Sequence, residues 1–183
     1  MKKVKIMDRT TMMRSLARIT HEIIEKDDAP DTIAILGIKN RGTLLSRILT
    51  ENLKKFADMD VPCGEIDATM YRDDFTPDEK RQRATESLIP FDVTGKVVII
   101  VDDVLYTGRT ARAAIEAVFA LGRPKAVRLA VLIDRGHREI PLKPDHVGKS
   151  IPTSRHEKIM VVTDGAEEDC GVFIVDSEEG GRE

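Results

Sequence analysis

Two adjacent acids and a threonine-rich turn directly follow the most apolar run in the sequence, residues 97–101. Gly108 permits a tight turn that brings the backbone close to a ligand. Threonine hydroxyls and the unpaired N–H groups of a first helical turn suit a phosphate monoester. The two carboxylates could accept hydrogen bonds from vicinal hydroxyls, directly or through Mg²⁺. The segment therefore predicts a site for a phosphorylated sugar formed by Asp102, Asp103, Val104, Leu105, Tyr106, Thr107, Gly108, Arg109 and Thr110.

The strands and helices that position this segment alternate along the chain. Short apolar runs over 32–36, 97–101 and 126–133 predict buried strands, and residues 65–71 predict another with partial alternation. Apolar residues at helical spacing predict helices over 10–25, from about 44 to 56, and over 110–121. This repetition predicts an α/β fold with an open, mostly parallel sheet flanked by helices. Ligands of such sheets bind beyond the carboxyl ends of the strands, where the segment falls.

A long polar segment, residues 72–94, interrupts this pattern. It is charged and non-periodic, with Pro77 and Pro90 near its ends. A loop of that length inside a compact domain is usually functional, disordered or both. We therefore expect it to act at the site rather than to build the core.

Composition narrows the class of protein. The 183 residues are 41% hydrophobic and 33% charged, which is typical of a globular domain. No apolar run approaches the length of a membrane span, so no membrane association is expected. Cys63 and Cys170 stand far apart, which favours free thiols and a cytoplasmic protein. The net charge of −3 argues against nucleic-acid binding through overall charge, so any such contact needs a local basic face.

The run 97–110 resembles the motif that binds 5-phosphoribosyl-1-pyrophosphate (PRPP) in type I phosphoribosyltransferases. Paired acids also follow buried strands in receiver domains and phosphatases, but the whole run is more specific. The resemblance implies that Asp102 and Asp103 hold the ribose hydroxyls and that the threonine turn holds the 5′-phosphate. It implies Mg²⁺ as a cofactor held with PRPP, with these two acids as the possible protein ligands. An exposed basic turn is the alternative for the implied pyrophosphate-binding residues, Lys39, Asn40 and Arg41.

The start of the long segment also fits this family. Tyr71-Arg72-Asp73-Asp74 resembles the flexible catalytic loop that closes over PRPP, so the resemblance makes Arg72 catalytic together with the two acids. Residues 75–90 match no pattern that assigns further closure residues.

Residues 103–110, 134–139 and 148–154 resemble one branch of the family, the bifunctional pyrimidine operon regulators. The resemblance implies one domain over 1–183, with a core of about 10–135 and a hood of about 136–176. It implies conversion of uracil and PRPP to UMP and pyrophosphate, and binding of UMP or UTP. Arg135 and Val162 are the implied base-binding residues. Tyr106 stands where purine enzymes usually carry an acid, which counts against a purine substrate.

The same branch binds pyrimidine-operon leader mRNA and controls transcription of that operon, and it forms homodimers or larger homo-oligomers. A solvated basic surface is the alternative explanation for the implied RNA-binding cations, Arg14, Arg18, His21, His137, Arg138 and Lys149. Ala17 departs from members that place a hydroxyl residue there.

Three functions therefore remain open: an RNA-binding regulator with uracil phosphoribosyltransferase activity, a nucleobase salvage enzyme without RNA binding, and a nucleotide sensor without catalysis. Lys39, Arg41 and Arg72 favour catalysis over the sensor.

Overall fold

The computed structural model describes residues 3–26, 29–166 and 168–176. Twelve α-helices and β-strands lie within these ranges, and two short 3₁₀ turns, Pro30–Thr32 and Thr69–Tyr71, accompany them. In chain order the elements are β1 (Lys3–Asp8), α1 (Arg9–Lys26), β2 (Ile33–Ile38), α2 (Arg41–Ala57), β3 (Cys63–Ile66), α3 (Pro77–Arg83), β4 (Val97–Leu105), α4 (Arg109–Leu121), β5 (Ala126–Asp134), β6 (His146–Ser150), β7 (Glu157–Val162) and β8 (Gly171–Asp176).

Five strands form the main sheet in the order β3-β2-β4-β5-β6, and every neighbouring pair is parallel. Helices cover both of its faces. Ile33, Ile35 and Ile99 pack with α1 and α2 on one face, whereas Leu36 and Ile100 pack with α4 on the other. Burial on both faces explains why the central strands are continuously apolar. The predicted fold class is confirmed.

A second, smaller sheet is antiparallel and has the order β1-β8-β7. Its strands come from both ends of the described chain, so β1 joins the region in which the sequence places a hood. By contrast, β6 falls within the predicted hood range but pairs with β5 in the main sheet. The division into core and hood remains a prediction. The pairing of β1 with β8 and of β6 with β5 shows that its predicted boundaries do not coincide with the two sheets.

Two predicted strand boundaries were wrong. The strand predicted over 65–71 ends at Ile66, because the Asp67 carboxylate accepts the Thr69 N–H at 2.7 Å and turns the chain. The strand predicted over 97–101 continues to Leu105 and pairs with β5 as far as Asp134. Asp102 and Asp103 therefore lie within β4 rather than after it.

The long polar segment also differs from its prediction, because it contains α3. Thr76 caps this helix: its hydroxyl accepts the Glu79 N–H, and the Glu79 carboxylate accepts the Thr76 N–H at 2.9 Å. Pro77 occupies the first helical turn, where its missing N–H costs nothing. The helix buries none of its residues, so it lacks the apolar periodicity that identifies the other helices.

Within the part of the chain that the structure describes, no helix is both long enough and apolar enough to cross a bilayer.

Candidate functional site

The turn after β4 is fixed by main-chain hydrogen bonds. The Thr107 carbonyl accepts the N–H groups of Glu139 and Ile140 at 2.9 and 3.0 Å. Gly108 has φ +91° and caps α4, and a Cβ at this position would lie 3.2 Å from the Ile140 Cβ. A glycine is therefore required by both the backbone conformation and the close approach. The turn presents Thr110 and the first N–H groups of α4 beyond the carboxyl end of β4, an arrangement suited to an anion.

The two acids of β4 form a hydrogen-bonded pair with their own backbone. The Asp103 N–H donates to Asp102 Oδ1 at 2.9 Å, and the Val104 N–H donates to Asp103 Oδ1 at 2.8 Å. Burial, followed by the neighbouring charge of Asp103, raises the pKa of Asp102 well above its ordinary value. Arg41 at the start of α2 lies 3.5 Å from Asp103 Oδ2. Two predicted groups, the acids and the basic turn, thus meet at neighbouring strand ends.

The basic turn 38–41 after β2 adopts an unusual backbone. Asn40 has φ +84°, which is uncommon for a residue with a side chain. The Lys39 N–H donates to the Ile66 carbonyl at 2.9 Å, which ties the turn to β3. The Lys39 ammonium donates to Thr85 Oγ1 at 3.1 Å and to the Glu86 carbonyl. Lys39 therefore connects the turn to the part of the long segment that directly follows α3.

Arg72 reaches from the long segment to Thr110, in the turn after β4. Its Nη1 donates to Thr110 Oγ1, and its Nε donates to Asp74 Oδ1 at 2.7 Å. The second guanidinium nitrogen, Nη2, binds the other oxygen of Asp74, so the pair is bidentate. Hydrogen bonds from Arg72 lower the pKa of the Asp74 carboxyl below its ordinary value. The structure thus places the predicted catalytic arginine at the turn after β4, which the sequence predicts to bind the phosphate.

Asp73 makes a second connection between the long segment and α4. Its carboxylate accepts from Arg109 Nη1 and lies 3.7 Å from Arg112 Nη2. Arg112 also donates to the Tyr71 carbonyl at 2.8 Å. Arg112 is not among the site residues that the sequence predicts. Its spacing of three residues from Arg109, on the same face of a helix, was the available signal.

A cleft of about 720 Å³ lies between these segments. It opens between the turn after β2, the long segment and the start of α4. Its lining includes Lys39 and Asn40 of one predicted anion-binding region and Thr110 of the other. The lining residues are Ile38, Lys39, Asn40, Thr43, Glu65, Asp67, Ala68, Thr69, Arg72, Phe75, Arg83, Thr85 and Thr110.

The predicted base-binding residues lie apart from one another along the chain. Arg135 is 5% exposed and donates to Thr153 Oγ1 and the Ser154 carbonyl, each at 3.0 Å. Its guanidinium lies 4.0 Å from the ring centroid of Tyr106, and His137 meets the same ring edge-on at 6.0 Å. Arg135 is thus committed to protein groups and supports Tyr106. Val162 lies at the end of β7 in the small sheet.

The predicted RNA-binding cations fall into two groups. Arg14, Arg18 and His21 are exposed on α1. Arg18 donates to the carbonyls of Val147 and Gly148 at 2.9 and 2.6 Å, which brings Lys149 of β6 close to this helix. The second group follows β5: Arg138 donates to Asp134 at 2.6 Å and to the Tyr106 carbonyl at 2.7 Å, and His137 contacts the Thr153 carbonyl at 2.5 Å.

The acid pair fits a magnesium ion that is shared with a substrate. Mg²⁺ is commonly held by one or two carboxylates, with substrate phosphates and water completing its octahedron. Among residues 3–26, 29–166 and 168–176, no group of three or more His, Cys, Asp or Glu side chains could hold a metal ion. The donors available at Asp102 and Asp103 therefore suit an ion that arrives with its ligand.

Comparisons with known proteins agree with this geometry. A family model described as "Phosphoribosyl transferase domain" matches residues 5–165. A protein of Enterococcus faecalis named "Bifunctional protein pyrR" is 52% identical over 161 residues, which cover 88% of this chain and 90% of that protein. One of the same name from Acetivibrio thermocellus is 50% identical over 159 residues, covering 87% of this chain and 86% of that protein.

Solved structures show the same architecture. A hypoxanthine-guanine phosphoribosyltransferase of Bacillus anthracis superposes with a TM-score of 0.67 at 18% identity, covering 94% of this chain and 98% of that one. The hypoxanthine phosphoribosyltransferase of Trypanosoma cruzi gives 0.69 at 16% identity, with 95% and 97% covered. At such low identity these likenesses show the fold alone.

Proposed function

The chain belongs to the phosphoribosyl transferase domain family and, within it, to the bifunctional PyrR proteins. From this premise we propose that it joins uracil to the phosphoribosyl group of PRPP. We also propose that it regulates pyrimidine genes by binding their leader mRNA. UMP and pyrophosphate are the products. UMP or UTP is the nucleotide signal, and the cytoplasm is the expected site of action.

One observation supports the enzymatic half most strongly. The basic turn after β2 and the threonine turn after β4 end neighbouring parallel strands, and Lys39 and Asn40 of the first turn line one cleft with Thr110 of the second. PRPP carries a monophosphate and a pyrophosphate on either side of one ribose. The acid pair on β4, beside Arg41, suits the sugar hydroxyls between those groups.

The reaction replaces pyrophosphate at C1′ of the ribose. A ring nitrogen of uracil forms the new bond and releases its proton to water, while the C1′–O bond breaks and pyrophosphate leaves with the bonding electrons. An oxocarbenium-like transition state makes catalysis mainly a matter of positioning and electrostatics. Thr107 to Thr110 hold the 5′-phosphate, and Lys39, Asn40, Arg41 and Arg72 stabilise the charge that develops on the leaving group. Bound Mg²⁺ supplies further neutralisation of that charge.

The uracil ring is expected near Tyr106 and the residues that surround it. A second cavity of about 390 Å³ lies there, lined by 134–137 and 150–153. In this proposal Arg135 contributes by holding Tyr106 in place, and main-chain groups near Val162 read the edge of the base. An exposed aromatic supported by a buried cation suits a planar ring better than a charged substrate.

RNA binding is proposed for the α1 face together with Lys149. Arg14 and His21 are exposed, whereas Arg18 is partly committed to β6. His137 and Arg138 lie beside Tyr106, where we propose that the base of a bound nucleotide lies. A nucleotide at Tyr106 would therefore lie next to two of the cations proposed to bind RNA. This proximity supports control of RNA affinity by the nucleotide, which requires that the nucleotide bind the RNA-bound and RNA-free proteins with different affinities. We also propose a homodimer or larger homo-oligomer, which light scattering would measure.

Two experiments test the halves separately. Incubation of uracil, PRPP and Mg²⁺ with the folded protein should yield UMP, and a folded protein that yields none would exclude the enzyme. In gel shifts with pyrimidine-operon leader RNA, UMP should tighten binding. Arg14→Ala should weaken it, whereas Lys125→Ala, which removes an equal charge from an exposed position at the start of β5, should not. Uracil turnover without RNA binding would favour the alternative, a salvage enzyme.

A further inference from the structure

Phe75 brings two arginines of the long segment together. The guanidinium carbon of Arg72 lies 4.6 Å from its ring centroid, and that of Arg83 lies 4.7 Å away. Arg72 begins the segment and Arg83 ends α3, so the ring joins its two parts. All three residues line the 720 Å³ cleft. Cations are attracted to the face of an aromatic ring, which gives this arrangement a physical basis.

The charges in the cleft favour an anion near Arg83. Arg72 shares its charge with Asp74 through a bidentate pair, whereas its Nη1 is directed to Thr110. The acid nearest to Arg83 is Glu79 at 3.6 Å, and the Glu79 carboxylate already accepts hydrogen bonds from the Thr76 N–H and hydroxyl. Arg83 is also 57% exposed, so it retains capacity for another acceptor.

The two acids that line the same cleft are already engaged. Glu65 accepts from Arg47 Nη2 at 2.6 Å. Asp67 accepts the N–H groups of Thr69 and Thr85 and the Thr85 hydroxyl. Lys39 and Asp67 are both bound only by uncharged groups. Among the described lining residues the cations Lys39, Arg72 and Arg83 outnumber the acids Glu65 and Asp67 by one, so the lining keeps a net positive charge.

We propose that Arg83 is an additional cation of the pyrophosphate subsite and that Phe75 is a positioning residue, holding Arg72 and Arg83 over the cleft. The proposal rests on the proposed function, because it takes the pyrophosphate of PRPP as the anion. It gives residues 75–90, which the sequence left without closure residues, a defined part in binding.

The test measures binding of inorganic pyrophosphate and of UMP separately, by calorimetry with Mg²⁺. Arg83→Gln should raise the Kd of pyrophosphate about fivefold, the effect of one exposed charge pair, and raise the KM for PRPP similarly. The Kd of UMP should stay within about twofold. Arg81→Gln is the matched control, since Arg81 lies on the same helix, pairs with Asp78 and is absent from the cleft lining.

Phe75→Leu keeps an apolar side chain but removes the ring, and it should weaken pyrophosphate binding like Arg83→Gln. In the double variant the Kd of pyrophosphate should rise by less than the product of the increases in the two single variants. Both substitutions disrupt the same contact between Arg83 and the Phe75 ring, so their effects should not be independent. Unchanged pyrophosphate binding in Arg83→Gln, or an equal loss of UMP binding, would overturn the role of Arg83. A fully multiplicative double variant would overturn that of Phe75. These outcomes can occur while wild-type protein still makes UMP, whereas wild-type protein that neither makes UMP nor binds pyrophosphate would overturn both proposals.

Discussion

Replacing Gly108 by alanine tests the turn after β4, which we propose binds the 5′-phosphate of PRPP. The position has φ +91°, where a side chain costs about 1–2 kcal/mol. The added Cβ would also lie 3.2 Å from the Ile140 Cβ, so Ile140 must move by a few tenths of an ångström. We expect a total loss of unfolding free energy of about 2 kcal/mol, which lowers the Tm of a chain of this length by roughly 4–8 °C.

The same change should impair PRPP binding. If the turn relaxes to accommodate the methyl group, at least one N–H of the α4 start leaves its direction toward the phosphate. A hydrogen bond to a charged group contributes about 1.5–3 kcal/mol, so the Kd of PRPP should rise about tenfold to a hundredfold.

Gly95→Ala is the matched control for this experiment. Gly95 has φ +76° and no atom within 4 Å of an added Cβ, and it precedes β4 at the end opposite the site. It should lose a comparable 1–2 kcal/mol of stability while keeping wild-type PRPP affinity. Thermal unfolding and calorimetry with PRPP and Mg²⁺ measure both quantities. Equal PRPP affinities in the two variants would refute our account of the turn.

Three further changes have defined outcomes. Arg72→Ala should lower kcat for UMP synthesis about a hundredfold, the value of one pre-organised charged donor, while the protein stays folded; a wild-type rate would mean that this arginine is not catalytic. Asp102→Asn should abolish PRPP binding yet stabilise the free protein near pH 7. Because burial raises the pKa of folded Asp102, its contribution to stability is fully present below the unfolded value of about 3.9 and is lost as pH rises through the folded value. Unfolding curves at pH 4 and pH 7 should therefore differ less for the variant than for wild type, and equal differences would contradict the shift. Thr76→Ala should weaken α3 by about 1 kcal/mol and speed amide exchange over 77–83, whereas Thr76→Ser should not; unaltered exchange in the alanine variant would show that the cap does not hold the helix.

The central sheet was predictable because its strands carry their own signal. β2, β4 and β5 are apolar on both faces, and burial on both faces produces that pattern in the sequence. β1 is largely exposed, and it pairs with β8 across more than 160 residues. A pairing so distant leaves little trace in local periodicity.

The candidate site also has a part that the local sequence predicts and a part that it does not. The residues of segment 102–110 are contiguous, so their spacing alone indicates an anion-binding turn. The contacts of Arg72 with Thr110, and of Asp73 with Arg109 and Arg112, join separate segments and depend on how the long segment folds back. The contact of Phe75 with Arg83 also depends on how the long segment folds. The capping box of Thr76 and Glu79, with Pro77 in the first turn, was the local signal of α3, a helix without a buried face.

A crystal structure with PRPP and Mg²⁺ bound would test the site most directly. We predict the 5′-phosphate on the N–H groups of residues 107–110, with the ribose hydroxyls toward Asp102 and Asp103. Pyrophosphate should lie against the turn after β2. Ligand density away from β4, or none at saturating concentration, would contradict the assignment of this protein as a phosphoribosyltransferase that works through that turn.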